Sequence, residues 1–276
     1  MSEKQAQLEW EARAGRLAAA VAWLAAVVII AAVAYRIAVL PHGASNVREF
    51  LPEVKAHKNA FLVSGIVTAI GMMAFIPPLV FLYNATRFRR QELPPVARIL
   101  AIAGPILFAI CAVWFQFRQA HAADQFVAGT VKTTKHAEDL LRNSTTAVAG
   151  LSLGASIASG LATILISLNA MRAGLLSRFM GVMGIILGAL FVLPLIASPI
   201  IQLFWLIALG ALFVGAWPGG GRGPAWESGE AIPWPSAQER FAPPADADPE
   251  SEPEPEPEPA PNPRAARKRK KKKARR

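Results

Sequence analysis

The sequence predicts an all-α integral membrane protein, a bundle of six transmembrane helices followed by a disordered C-terminal tail. Three observations predict this class. Of the 276 residues, 53% are hydrophobic and only 17% are charged. Apolar stretches long enough to cross a membrane recur as far as Trp217, and 13 of the 22 prolines follow that residue. This composition excludes an ordinary soluble enzyme and a domain with a uniformly basic surface for nucleic acid.

The formal net charge of +10 is confined to the end of the chain. Residues 264–276 hold ten of the 29 lysines and arginines, and the other 19 balance the 19 acidic residues. The body of the protein is therefore neutral. We expect three parts: a cytoplasmic N-terminal segment (1–16), a six-span membrane domain (17–217) and a tail (218–276).

Each transmembrane helix needs roughly 20 mostly apolar residues, because the backbone polar groups must be satisfied internally. The predicted spans are residues 17–40 (interrupted only by Arg36), 61–83, 96–117, 147–171, 179–197 and 200–217. The last two form a hairpin, since a single helix would be about 58 Å long. The first is expected to be retained, because Arg36 occupies the place of a leader cleavage region.

The distribution of basic residues predicts the orientation. If the N-terminus is cytoplasmic, 21 of the 29 lysines and arginines fall on the inner side and eight on the outer side. Without the terminal ten, the count is 11 against eight, so the tail provides most of the bias. The expected location is the plasma (inner) membrane, with both termini in the cytoplasm.

Small residues predict how the helices pack. Gly150, Gly154, Ala158 and Ala162 recur every four residues in the fourth span, beside a second row of Ser152, Ser156 and Gly160. Gly181, Gly184 and Gly188 form a stripe in the fifth span that could face them. Such rows allow close approach of helix backbones. A homodimer seam is the alternative, and the oligomeric state stays open.

The prolines and the charged residues of the predicted spans indicate which kinds of transport the sequence allows. Pro77, Pro78, Pro105 and Pro194 interrupt three spans, as static kinks or as the hinges of a transporter. The predicted spans contain no Asp or Glu. This disfavours a carrier coupled to protons or sodium through a mid-membrane carboxylate, whereas a channel or facilitator stays open. Arg36 and Arg98 lie near span ends, where long side chains can reach the interface.

The outer loops hold all four histidines: His42, His57, His121 and His136. With neighbouring carboxylates they could bind a metal ion or sense pH in a membrane sensor or enzyme. Their spacing matches no recognised site, so solvated side chains are the favoured interpretation. No catalytic cluster or cofactor fingerprint is present, and Cys111 stands alone as a small hydrophobic residue. We therefore predict a non-enzymatic protein without metal or cofactor.

The tail is predicted to be disordered, because it cannot bury enough apolar surface to offset its ordering entropy. Trp217, Trp226 and Trp234 are expected to rest at the membrane interface or to serve as a docking motif. Residues 250–259 form an acidic, proline-rich spacer. The segment beyond it is continuously basic: Arg267, Lys268, Arg269, Lys270, Lys271, Lys272 and Lys273. It is expected to contact anionic lipid or a protein partner, with nucleic acid less favoured.

Residues 169–217 read NAMRAGLLSRFMGVMGIILGALFVLPL, a turn, then IIQLFWLIALGALFVGAW. This segment resembles the end of small bacterial multi-pass membrane proteins classed as a domain of unknown function. The matching features are a basic loop ending in Arg178, the helix striped with Gly181, Gly184 and Gly188, and the closing hairpin. The resemblance implies a bacterial membrane protein and supplies no activity. The expected function is non-enzymatic, with a tail that acts at the cytoplasmic surface.

Overall fold

A computed structural model describes residues 2–40, 43–193, 199–217 and 221–234. Of these residues, 83% are helical and none forms a strand, which confirms the all-α prediction. The helices are α1 (Glu3–Val39), α2 (Val47–Ala56), α3 (Lys58–Ala74), α4 (Ile76–Arg89), α5 (Pro95–Ala128), α6 (Thr134–Arg172), α7 (Arg178–Val192), α8 (Pro199–Phe213) and α9 (Pro224–Ser228).

Four helices are long and apolar enough to cross a membrane: α1, α3 together with α4, α5 and α6. The membrane class predicted from the sequence is confirmed at this level. The two remaining apolar helices, α7 and α8, have 15 residues each. Each is about 22 Å long, against a hydrocarbon core of about 30 Å. Residues 194–198 between them, including Pro194, lie outside the described residues.

The first helix begins well before the predicted span. Ser2 caps α1 by accepting a hydrogen bond from the backbone N–H of Gln5, whose side chain bonds back to Ser2 N–H. This reciprocal capping box satisfies two N–H groups that a helix start leaves free. Residues 3–16 of the predicted N-terminal segment are therefore helical and continuous with the first predicted span.

Prolines act differently at two positions. The predicted second span is divided at Phe75, between α3 and α4, and Pro77 and Pro78 lie in the first turn of α4. Neither proline can donate to a carbonyl in the last turn of α3, so the helix is interrupted just before them. By contrast, α5 continues through Pro105 as a single helix of 34 residues.

The end of the bundle that carries α2, here called the α2 face, has its own small core. Leu51 and Val54 of α2 are fully buried and pack with Phe126 of α5 and Ala137 of α6. The polar segment that precedes the fourth predicted span is the first part of α6, which runs without a break from Thr134 to Arg172.

Alanines form the buried face of α1, whereas many large apolar side chains of the bundle are exposed. Ala19, Ala22 and Ala25 on one face of α1 are fully buried, whereas Ile37 is 67% exposed and Ile200 is 70% exposed. In lipid, apolar surface is not driven inward, and close backbone approach holds the helices together. The distribution is therefore that of a protein with hydrocarbon as its solvent.

The compact part of the chain extends further than predicted. The sequence placed the start of the disordered tail at residue 218, but the compact unit reaches Trp234. Trp226 of α9 is buried, and Trp217 and Trp234 are partly buried against the same core. Trp226 is therefore a packing residue and not an exposed interface anchor. Residues 235–276 lie outside the described part of the chain.

Candidate functional site

A cavity of about 700 Å³ opens among α1, α3, α5 and α6 toward the α2 face. Its lining mixes apolar side chains with a charge and several neutral polar groups. The polar residues are Arg36, Ser64, Thr68, Gln116, Gln119 and Ser152. A volume in this range suits a small organic molecule.

A second cavity of about 590 Å³ adjoins the first and is mostly apolar. Its walls include Val28 and Ile29 of α1, Met72 of α3, and Leu187 and Phe191 of α7. The two cavities share four lining residues, Arg36, Ile37, Thr68 and Phe108. We therefore treat them as one feature, the Arg36 groove, with the first cavity as its polar arm and the second as its apolar arm.

Arg36 is where the two arms meet. Of the described residues that line the groove, it alone is charged. No described carboxylate lies within 4.0 Å of its guanidinium, so the charge has no protein counter-ion in this part of the chain. Sequence reasoning placed Arg36 at the membrane interface, and the structure adds that it lines a cavity there.

Two glutamines of α5 belong to the polar arm. Gln119 is only 7% exposed, and the buried Oε1 atom of Gln116 has no hydrogen-bond partner among the described residues. A Cβ atom on Gly65 of α3 would lie 2.6 Å from Cγ of Gln116, so the glycine is what lets the two helices meet here. Sequence reasoning missed both glutamines. Their position in and just beyond an otherwise apolar span is the signal that could have found them.

Three aromatic side chains form a layer inside the bundle. Phe75 and Trp205 are fully buried, with ring centroids 5.9 Å apart, and Phe191 packs on Phe75 at the same distance. The indole N–H of Trp205 donates to the carbonyl of Met180 at 3.2 Å. This layer lies where α3 ends and α4 begins. Phe191 also lines the apolar arm, so this layer adjoins the groove.

The end of the bundle opposite the α2 face, here called the N-terminal face, holds a buried ion pair. The Glu11 carboxylate of α1 accepts two hydrogen bonds from the Arg89 guanidinium of α4, at 2.5 and 2.9 Å. The side chain of Arg89 is 0% exposed and that of Glu11 is 2% exposed. Arg89 also donates to the carbonyls of Ala85 and Ala225, both at 3.0 Å. This pairing was not anticipated from the sequence.

Trp226 of α9 completes the cluster on the N-terminal face. Its ring lies 5.5 Å from the Arg89 guanidinium carbon and stacks on Phe81 at 5.9 Å. Its indole N–H donates to the carbonyl of Leu175 at 2.9 Å. Nearby, burial lowers the pKa of Arg222 from its ordinary value, an effect that the charge of Glu11 opposes. The start of the C-terminal region is thereby attached to α1, α4 and the α6–α7 turn.

The histidines bond locally. His57 lies at the junction of α2 and α3, and the ring of His121 contacts the Gln125 amide at 3.1 Å. The backbone N–H of His136 donates to the Thr133 hydroxyl, which caps α6. Among the described residues no group of three His, Cys, Asp or Glu side chains is placed to hold a metal ion. His42 lies outside the described residues.

The glycine stripe of α7 packs against α6. A Cβ atom would lie 2.7 Å from Met171 at Gly181, 2.2 Å from Ser167 at Gly184, and 2.6 Å from the Gly160 carbonyl at Gly188.

The predicted first row of α6 is only partly in contact. Ala162 is buried, but a Cβ atom on Gly150 or Gly154 would meet nothing within 4 Å, and Ala158 is half-buried. The two glycines thus meet no described residue of this chain, because the row turns away from the neighbouring helices in the first half of α6. Gly160 of the second row makes the closest contact instead.

The predicted lipid-binding residues of the tail, Arg267 to Lys273, lie outside the described residues. The described structure ends at Trp234. No protein-family model matches this chain, and neither a curated protein nor a solved structure is significantly similar to it. The fold and the groove are therefore the basis for any functional assignment.

Proposed function

We propose that this is a non-enzymatic membrane protein of the facilitator type, which binds a small amphiphilic molecule in the Arg36 groove. The observation that carries the proposal is that a polar cavity and an apolar cavity share Arg36 and three other lining residues. Ligand sites in proteins are mostly apolar cavities with a few polar groups that orient the ligand. The lining holds no carboxylate among its described residues, so coupling to protons through an acidic side chain is not part of the proposal.

The helix interruption at Phe75 gives this protein a place to open. It lies in the aromatic layer that adjoins the apolar arm, where we propose that the bundle moves to release its solute. Pro77 and Pro78 remove backbone hydrogen bonds there, which lowers the cost of bending. In this proposal the α3–α4 junction is the hinge and the Phe75–Trp205 layer is the gate.

Access to the groove can be tested with one engineered cysteine. Thr68 lines both arms, so in a Cys111→Ser background Thr68→Cys should react with a small water-soluble thiosulfonate added from the α2 side. Val63→Cys is the matched control, because Val63 is 41% exposed on the same helix without lining the groove. Filling the apolar arm with Ala32→Phe should slow labelling, and the outward-facing Ala31→Phe should not. Equal labelling of the two cysteines would overturn the proposal.

The membrane topology that we propose has six spans in the bacterial plasma membrane, with both termini cytoplasmic. Support comes from contacts at the N-terminal face. Leu175, just before α7, and Phe213, at the end of α8, both contact Trp226 there. The α7–α8 pair therefore leaves from and returns to the same face. Lysine and arginine are in excess in the segments on that face, which favours a cytoplasmic location for the face.

An impermeant maleimide tests this topology in intact cells, again without Cys111. Ser45→Cys, before α2, should label from outside, whereas Ser177→Cys and Ser228→Cys should label only after lysis. Ser198→Cys decides between six spans and four. Labelling from outside supports a full crossing by α7 and α8, and protection on both sides would leave four spans with a buried hairpin.

A second candidate function belongs to the tail. The ordered attachment of Trp226 and Arg89 holds the start of the C-terminal region at the N-terminal face. From there we propose that the basic segment contacts an anionic membrane surface, where each lysine or arginine contributes about 1 kcal/mol.

The tail proposal can be tested with the full-length protein in discs of zwitterionic lipid. These should co-sediment with anionic vesicles at low salt, and replacing Arg267–Lys273 by glutamine should abolish the effect. Replacing the acidic residues of 250–258 by glutamine is the matched control. Unchanged sedimentation of the basic-segment variant would sink this candidate and favour a protein partner.

A further inference from the structure

We infer that the Arg36 groove binds an anionic amphiphile, with its carboxylate or phosphate head at Arg36 and its hydrocarbon chain in the apolar arm. The inference rests on the proposed ligand-binding function and adds the chemical class of the ligand. It follows from three properties of the groove: its charge, its division into two arms, and its depth in the membrane.

The charge of the groove selects an anion. Arg36 is the single charged group among the described lining residues, and no described carboxylate neutralises it. Arg36 is an exposed residue of the lining, so its charge is available to an anionic ligand. Its planar guanidinium pairs with a carboxylate or phosphate through two parallel hydrogen bonds. The Gln116 amide, which has no described partner for Oε1, can turn its NH₂ group toward the same head group.

The division into arms selects an amphiphile. A small hydrophilic anion would leave the apolar arm unfilled, and a plain hydrocarbon would leave Arg36 and the glutamines without partners. A molecule with one charged end and one apolar end satisfies both. The side chains around the apolar arm, such as Val28, Leu187 and Phe191, suit a flexible hydrocarbon chain.

The depth of the groove fits the orientation of a lipid. Arg36 follows Arg16 by 20 residues on the continuous helix α1, a rise of about 30 Å that matches the hydrocarbon thickness. Arg36 therefore lies at the membrane boundary of the α2 face. Val28 lies eight residues, or about 12 Å, closer to the membrane centre. A ligand with its head at Arg36 and its chain beside Val28 keeps the orientation of a molecule in the outer leaflet.

The test uses the full-length protein in zwitterionic discs and a dansylated fatty acid as the fluorescent probe, with empty discs as the partition blank. Dodecanoate, dodecyl phosphate and dodecanol compete for the site. We expect either or both anions to displace the probe at concentrations about tenfold lower than the alcohol, because hydrogen bonds to charged groups are the stronger class. A preference between the anions distinguishes a fatty acid from a phosphate head group.

Five variants locate the site. Arg36→Gln should weaken binding of the anions about tenfold and leave dodecanol unchanged, whereas Arg36→Lys should retain most of the affinity. Arg98→Gln, an exposed arginine that does not line the groove, should behave as wild type. Ala32→Phe should weaken all three ligands, in contrast to Ala31→Phe.

The outcomes separate this inference from the proposed function. If Ala32→Phe blocks binding but Arg36→Gln has no effect and the alcohol competes as well as the anions, the groove binds a ligand but the anionic class is wrong. If no competitor displaces the probe, or if Ala32→Phe and Ala31→Phe behave alike, both proposals fail.

Discussion

Glu11 and Arg89 form a bidentate ion pair across 78 positions of sequence, with both side chains almost completely buried. Both side chains make further hydrogen bonds within the protein. Gln7 donates to Glu11 at 2.9 Å, and Arg89 donates to two backbone carbonyls. Such a pair is costly to break, because removing one partner leaves a buried charge uncompensated.

The first prediction concerns this pair. Glu11→Ala and Arg89→Ala should each lower the free energy of unfolding by about 3–5 kcal/mol. The double variant should lose less than the sum, since the second substitution removes the charge that the first left unpaired. Unfolding in mixed detergent micelles measures the free energy of unfolding of each variant. Glu9→Ala, an exposed carboxylate on the same helix, should change stability by no more than about 0.5 kcal/mol. Equal effects at Glu9 and Glu11 would contradict the structure.

The second prediction concerns the attachment of α9. Trp226→Ala removes a buried ring that stacks on Phe81 and bonds to Leu175, and truncation of a buried aromatic costs about 3–5 kcal/mol. The local consequence should be faster tryptic cleavage after Arg222. Trp226→Phe should show an intermediate rate, because it keeps the packing and loses the hydrogen bond. Trp114→Ala is the control, since that side chain is 43% exposed on α5. An unchanged cleavage rate would show that Trp226 does not hold this segment.

The third prediction compares two glycines of α6. A Cβ atom on Gly160 would lie 2.4 Å from the carbonyl of Gly188, so Gly160→Ala should destabilise the protein by about 1–3 kcal/mol. Gly154→Ala meets nothing within 4 Å and should be neutral, or stabilising by up to about 1 kcal/mol through helix propensity. Thermal unfolding of both variants measures these changes in stability. If Gly154→Ala is the more damaging change, the exposed row is an interface, which the sequence left open as a homodimer seam.

The fourth prediction is a pH dependence on the N-terminal face. The hydrogen bond and charge of Lys4 hold the pKa of Glu230 below its ordinary value of 4.5. A carboxyl whose pKa is lowered by folding stabilises the protein above its unfolded pKa, and this contribution is lost as the pH falls through the folded value. Glu230→Gln should therefore have a lower Tm than wild type at pH values well above 4.5. The difference in Tm should vanish in stronger acid. A difference that persists in acid would exclude this ion pair as its cause.

Much of the fold was predictable, because each helix that crosses a membrane needs a long apolar stretch that is visible in the sequence. Long apolar stretches end at charged or helix-breaking residues, and α1, α3 together with α4, α5 and α6 cover the first four predicted spans except for Leu40. The helices α1 and α6 begin well before these spans, since polar helix that continues beyond an apolar stretch carries no hydropathy signal. The compact region beyond residue 218 was missed because its glycines and prolines resemble a linker. It is ordered by contacts of Trp226 with residues far away in sequence.

The candidate site was less predictable. Arg36 was visible in the sequence as a charge within a span, but its place in one cavity with Gln116 and Thr68 depends on which faces of α1, α3 and α5 meet. The glycine stripe of α7 was identified from its spacing, whereas the equally regular row at Gly150 and Gly154 faces outward. Spacing shows that a row can pack, and only the position of the neighbouring helices shows whether it does.

The sequence by itself determined the class of this protein, its long apolar helices and the confinement of its net charge to residues 264–276. Each of these follows from composition read along the chain, because hydrocarbon solvates only apolar helices of sufficient length. The tertiary structure alone decided the pairing of Glu11 with Arg89, the burial of Trp226 and the union of two cavities at Arg36. These depend on helix faces brought together from distant positions, and the physical contacts that select them leave no local pattern in the sequence.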